Sequence, residues 1–210
     1  TRMRAERAGF EDLSDLVTAF AAADLVLSIM PPERAEGFAR DAVAAMRGMD
    51  NAPLFVDCNA ISPVTTLAIA ALFEDAGLAF ANASIIGSPP GGAQPTKLYV
   101  SGALAAGLDI LDGDGISVRQ MGPDIVRASA IKMCYAGLTK GVMTLQTSVL
   151  LAGEMLGIYD ELAAEFADSQ KAHWEALGRR GPFLSANAGR WAGEMDEIAE
   201  TLGLVGLTDN

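Results

Sequence analysis

A chain of 210 residues, half of them hydrophobic and 20% charged, can fill one large domain or two modest ones, and it is too apolar for disorder or a coiled coil. Its formal charge of −12 argues against non-specific nucleic-acid binding and against docking on an anionic membrane. The only thiols, Cys58 and Cys134, make no disulfide framework and fit a reducing cytoplasm, and the uncharged run Gly141–Gly153 is too short to span a bilayer.

Taken in chain order, Arg2–Ala8 reads as the tail of a helix, so the chain is expected to begin inside a longer fold. Leu13–Ala22 reads as a short amphipathic helix with Leu13, Leu16, Val17 and Phe20 on one face. Ala23–Met30 is an apolar run rich in β-formers and stopped by Pro31-Pro32, which predicts a buried parallel strand. Pro32 opens a helix through about Arg47, and Pro53–Cys58 is a second strand. Ser62 followed by Pro63 is an N-cap with proline at the first helical position, so a helix starts there and runs to Ala76. Ala79–Ile86, Lys97–Ser101 and Ile116–Gln120 read as further strands, with a short helix near Ala103–Leu111. Strands and helices alternating at this spacing predict βαβ units and a mainly parallel sheet.

The pattern changes at Pro123, after which no strand is evident. Asp124–Glu154 reads as one long helix, apolar nearly all round, which places it between packed partners. Shorter helices follow at Tyr159–Ser169, Gln170–Leu177 and Ala188–Leu202, the last two separated by Arg179-Arg180-Gly181-Pro182. The expected organisation is an α/β domain over residues 1–121 and an all-helical domain over 122–210.

Three places carry candidate chemistry. Open α/β sheets bind ligands at the carboxyl ends of their strands, and here those ends are Met30-Pro31-Pro32, Asp57-Cys58-Asn59-Ala60 and Gly87-Ser-Pro-Pro-Gly-Gly92. Each alone is an ordinary turn; three together allow close backbone approach to a ligand. Lys132 is a lone lysine in the apolar stretch Val126–Ala136, sharing a helix face with Ala136 and Lys140. Two readings stand for it: a proton-transfer group in a cleft, or a packed stem whose ammonium reaches water. His173, the only histidine, sits among charges and reads as a surface residue; no metal-site spacing of His, Cys and carboxylates exists.

In this order the motifs resemble the β-hydroxyacid dehydrogenase family, which includes 3-hydroxyisobutyrate and 6-phosphogluconate dehydrogenases. Ala23–Pro32 is similar to the family's strand ending in Leu-Pro beside the nicotinamide. Asp57-Cys-Asn-Ala-Ile-Ser-Pro63 matches its Asp-x-Ser-Thr-Ile-x-Pro loop in spacing, Ser84–Ser88 with Gly91-Gly92 stands where its substrate loop stands, and Lys132 falls at its catalytic lysine. The resemblance implies a Rossmann-type doubly wound domain, incomplete at its N-terminus, followed by an all-α domain. It also implies hydride transfer between NADP or NAD and a small β-hydroxyacid; the apolar residues of Met133–Leu156, too many for one neighbour, predict a homodimer or higher homo-oligomer, and the two thiols a cytoplasmic one. Met30, Pro31, Pro32, Asn59 and Ala60 would then line the cofactor. Gly87 and Ser88 would bind the substrate carboxylate, Lys132 would move the hydroxyl proton, and Arg2 and Arg4 would weakly favour NADP. The chain departs from the family in four ways. The Gly-x-Gly-x-x-Gly turn is absent, Val126 and Ala128 replace glycines, Ala136 replaces the substrate-binding asparagine, and the C-terminal Lys-Asp pair is replaced within Arg190–Ala199. Tyr135 or Lys140 is expected to take over from the asparagine. An imine reductase shares the architecture but typically replaces the lysine; a non-catalytic dimeric binding protein of the same fold is the other alternative.

Overall fold

Short β-branched and aromatic runs, each cut off by a turn, build the first half of the molecule. The computed structural model describes residues 2–13, 15–89 and 91–207, so Ser14 in the expected second helix and Pro90 in the third loop lie outside it. The chain opens with α1 (Arg2–Arg7) and α2 (Leu16–Ala21), the latter shorter than the periodicity implied because Asp15 caps it, accepting from Thr18 N at 2.8 Å. Next come β1 (Leu25–Ser28), a 3₁₀ turn over Pro32–Arg34 where an α-helical start was expected, and α3 (Ala35–Met46). β2 (Leu54–Asp57) leads into α4 (Pro63–Asp75), whose cap is Ser62 as expected, its hydroxyl accepting from Thr65 N at 3.0 Å. β3 (Phe80–Ile86), β4 (Thr96–Ser101), a 3₁₀ helix over Ala105–Leu111 and β5 (Ile116–Gln120) complete this part.

The five strands form one sheet in chain order. β1, β2 and β3 run parallel, as do β4 and β5, but β4 pairs antiparallel with β3, with Ser84 opposite Tyr99. The segment between β3 and β4 is shorter than the dozen or so residues a parallel crossover needs, so the chain turns back on itself. On one sheet face α3 and α4 bury Phe55, Ile69 and Phe73, with the Phe55 and Phe73 rings 4.6 Å apart. On the other, Val56, Ala81, Leu98 and Val100 pack with Leu108 of the 3₁₀ helix. Strand alternation puts Phe55 and Val56 into different cores.

The second half is helical: α5 (Arg127–Leu156), α6 (Tyr159–Ser169) and α7 (Lys171–Leu204). The last two expected helices are one, because α7 runs unbroken through Gly181-Pro182. An internal proline costs a helix about 3 kcal/mol. The chain divides into compact units 1–132 and 133–210, so the first turns of α5 belong with the sheet and the rest with the helices. In the second unit Phe166 and Trp174 lie 6.5 Å apart, and Gly153 admits Leu162 where a Cβ would stand 2.8 Å from its Cδ2.

Candidate functional site

The carboxyl ends of β1 and β2 are stitched together by one side chain. Ser28 sits beside Asp57 in the parallel register, and Asn59 bridges the two loops. Its Oδ1 accepts from Met30 N at 2.7 Å, while its Nδ2 donates to Ser28 Oγ at 3.0 Å and to Asp57 Oδ2 at 2.8 Å. Its own N–H donates to Asp57 Oδ1 at 2.9 Å. Asn59 is therefore buried and spent on shaping the edge, and what the edge presents is the backbone of Met30–Pro32 and Ala60. The buried Asp57 carboxylate gains two charge-assisted hydrogen bonds from Asn59, which offset its removal from water. Beside it, burial and then the Asp57 charge push the Cys58 thiol up to about 12.

Gly87 and Ser88 lie exposed where β3 ends. Gly87 holds φ +125, a conformation open to glycine and strained for any other residue, and the Ser88 carbonyl accepts from the Thr96 hydroxyl. A cavity of about 330 Å³ opens on the sheet beside this turn, lined by Leu27, Ile29, Cys58, Ile85 and Gly87 among others. Its walls are almost wholly apolar.

Lys132 reaches the end of β3. Half-buried on α5, it extends its ammonium to the Ile85 carbonyl at 2.9 Å, two residues before Gly87. The structure thus gathers Lys132, Gly87 and Ser88 at the end of β3, and the loops at 30–32 and 59–60 at the neighbouring ends of β1 and β2. Tyr135 and Lys140 fall in the second unit. Tyr135 is half exposed; Lys140 forms an ion pair with Glu194 and lies 5.5 Å from the Trp191 ring centre, so its charge is already answered. His173 is exposed, as expected, its carbonyl accepting from Gln146 Nε2 at 3.3 Å. Arg4 is exposed on α1, and the Arg2 side chain lies outside the described residues.

Sequence reasoning missed the polar cluster under the first turn of α5. Asn82, Thr66, Ser101 and Ser129 are all fully buried there. Asn82 and Ser101 were visible as polar residues on the inward faces of apolar strands, and buried polar groups demand partners.

A family model described as a domain of unknown function (DUF1932) matches residues 154–210. The chain is 28% identical over 153 residues to an uncharacterized 28.5 kDa protein of Methanothermus fervidus, covering 73% of this chain and spanning just over half, 56%, of that relative. Among solved structures it resembles the conserved protein MTH1747, described as of unknown function with structural similarity to 3-hydroxyacid dehydrogenases (28% identity, TM-score 0.66, 98% of this chain and 76% of that one). The fold is that of the 3-hydroxyacid dehydrogenases. A Mycobacterium tuberculosis 3-hydroxyisobutyrate dehydrogenase shares it at 23% identity and TM-score 0.56, over 73% of this chain and 53% of its own. So does an imine reductase from Myxococcus stipitatus solved with NADP+, at 17% identity and TM-score 0.61, over 89% of this chain and 67% of its own. The parallel-dominated sheet followed by helices is the architecture the motifs implied.

Proposed function

We propose that this chain carries the substrate side of an NAD(P)-dependent oxidoreductase that interconverts a small β-hydroxyacid and its keto form. The observation that carries the reading is the Lys132 ammonium fixed on the Ile85 carbonyl beside the Gly87–Ser88 turn. The apolar cavity and the backbone edges at Met30–Pro32 and Ala60 fit the nicotinamide end of the dinucleotide, and Asn59 holds those edges rigid. When bound, that cofactor supplies the hydride acceptor or donor.

The work left to the protein is proton handling and orientation. In the oxidative direction Lys132, as the amine, takes the hydroxyl proton while hydride leaves the same carbon; in reduction the ammonium returns it. The Gly87–Ser88 turn offers backbone N–H groups and a hydroxyl to the substrate carboxylate. Strand-end glycine permits the close approach that a side chain would obstruct.

The test is nicotinamide fluorescence titration of the protein in its full natural sequence with NADPH and NADH, followed by turnover with a panel of short β-hydroxyacids and cyclic imines. Binding of either cofactor with hydroxyacid turnover is the expected outcome. Binding with imine turnover alone would replace the substrate class, and no binding of either cofactor would leave a non-catalytic protein of this fold.

A further inference from the structure

We infer that Asn82, Thr66, Ser101 and Ser129 form a buried clasp whose task is to position Lys132, an inference that rests on the proton-transfer reading of that lysine. The first turn of a helix leaves backbone N–H groups without intrahelical partners. At α5 a distant strand answers this: Ser101 Oγ on β4 accepts from Ala128 N at 3.1 Å and donates to Ile125 O at 2.8 Å. The same carbonyl receives Asn82 Nδ2 of β3 at 2.8 Å, and that amide also reaches Ser129 Oγ at 2.9 Å. Thr66 Oγ1 of α4 lies 2.6 Å from Ser129 Oγ and donates to Ser62 O at 2.8 Å.

With the Thr66 proton on Ser62 O, Ser129 accepts from the Asn82 amide and has two acceptors for its own proton, Thr66 Oγ1 at 2.6 Å and Asn82 Oδ1 at 3.3 Å. Three elements therefore grip α5 within one turn, and each gripping group is fully buried, where a lost hydrogen bond is not replaced by water. Gly102 belongs to the same device. It holds φ +112, and a Cβ there would meet Ile125 Cδ1 at 2.5 Å, so the chain leaves β4 with Ile125 seated against it.

Lys132 follows Ser129 by three residues, which puts both on one face of the helix. Fixing the phase of α5 at 125–129 fixes where the Lys132 stem departs and hence that its ammonium lands on Ile85 O. A small polar cluster buried for stability alone is a poor investment, since apolar residues of the same volume are often neutral or better. Rotational register is what hydrogen bonds supply and apolar packing does not.

The experiment reads Lys132 directly, without a substrate. Reductive methylation with formaldehyde and cyanoborohydride, followed across pH by mass spectrometry, gives the labelling rate of Lys132 against the exposed Lys97 and Lys171 in the same molecule. Ser101→Ala and Ser129→Ala are expected to change the Lys132 rate by about fivefold, the population change that goes with one lost hydrogen bond, and to displace its pH profile, while Lys97 and Lys171 keep theirs. Thr201→Ala, which deletes a hydrogen-bonded hydroxyl from α7 at a residue only 6% exposed, is expected to leave Lys132 unchanged. Loss of the cooperative thermal transition in one variant would mean global unfolding, and the other variant then decides. An unchanged Lys132 rate and profile in a folded clasp variant overturns the inference. The reading beneath it fails separately, if Lys132→Met keeps its turnover. Where that variant is impaired, adding Ser101→Ala to it should cost nothing more, because a positioning residue has nothing left to position.

Discussion

Replacing Lys132 with methionine isolates the ammonium. The side chain keeps its length and its apolar stem, and what is lost at its tip is the ammonium with its contacts, the Nζ bond to Ile85 O among them. A bond from a charged donor is worth about 1.5–3 kcal/mol net, and methionine regains part of it by burying a thioether in place of a half-desolvated charge, which leaves a net loss of about 1 kcal/mol. The melting temperature should therefore move by no more than about 2–4 °C, the shift that 1 kcal/mol gives a chain of this size. Turnover is another matter. A positioned acid–base group contributes typically about 10²–10⁴-fold, so kcat with the best hydroxyacid should fall at least about a hundredfold. Cofactor affinity should hold, because the edges at Met30–Pro32 and Ala60 are fixed by Asn59 and not by Lys132. Lys140→Met is the contrasting variant: it strands the Glu194 carboxylate, so stability falls while turnover per folded molecule changes much less. Near wild-type turnover by Lys132→Met would show a lysine whose head simply reaches water, and the oxidoreductase mechanism would lose its acid–base group.

Further outcomes follow from the packing and the titration of single groups. With its thiol near 12, Cys58 should resist thiol reagents at pH 8 while the exposed Cys134 reacts, as mass spectrometry of the alkylated protein will read. The folded state keeps that proton where the unfolded thiol, at 9.0, has lost it, so the stability it contributes is intact below 9 and drains away as pH climbs toward 12; Cys58→Ala should flatten that alkaline loss in denaturant titrations. Phe55→Ala removes a ring with no exposure and three aromatic neighbours, and should cost about 3–5 kcal/mol by chemical denaturation. Leu138, Leu145, Leu151 and Met155 stand 60–87% exposed on α5, so sedimentation at micromolar concentration should show a homodimer; a 21.8 kDa monomer refutes it.

What the sequence displayed well was local. Proline stops and an N-cap with proline behind it located β1 and α4, because those signals act within a few residues. The antiparallel β4 was hidden in a loop length that strand-by-strand reading ignored. α7 was split on the strength of Gly181-Pro182, a breaker by propensity that a long packed helix overrides. For the site, the strand-end turns and Lys132 stood out by residue type. The lysine's partner could not, since a main-chain carbonyl has no sequence signature. Lys140 shares a helix face with Lys132 by spacing, but its ion pair with Glu194 and its place over Trp191 come from residues far along the chain.

The departures at 126, 128 and 136 bear on different parts of this design. Val126 and Ala128 stand where the resemblance has glycines, yet the clasp engages the carbonyl of Ile125 and the N–H of Ala128, main-chain groups any residue supplies. The placement of Lys132 survives those changes for that reason. Position 136 is unlike them, because there the family's asparagine would work through its side chain, and Ala136 is only 2% exposed. Restoring the family residue is therefore a sharp test of how far the chain has diverged. An amide at 136 would enter a site built around a methyl group, and a buried amide without partners costs about 1–3 kcal/mol. Ala136→Asn should lower stability by that amount in urea titration and bring no hydroxyacid activity that the native chain lacks. A variant as stable as the parent, and faster on 3-hydroxyisobutyrate, would mean that the surroundings still hold the donors and acceptors of the family's own site, and that the substrate has not drifted.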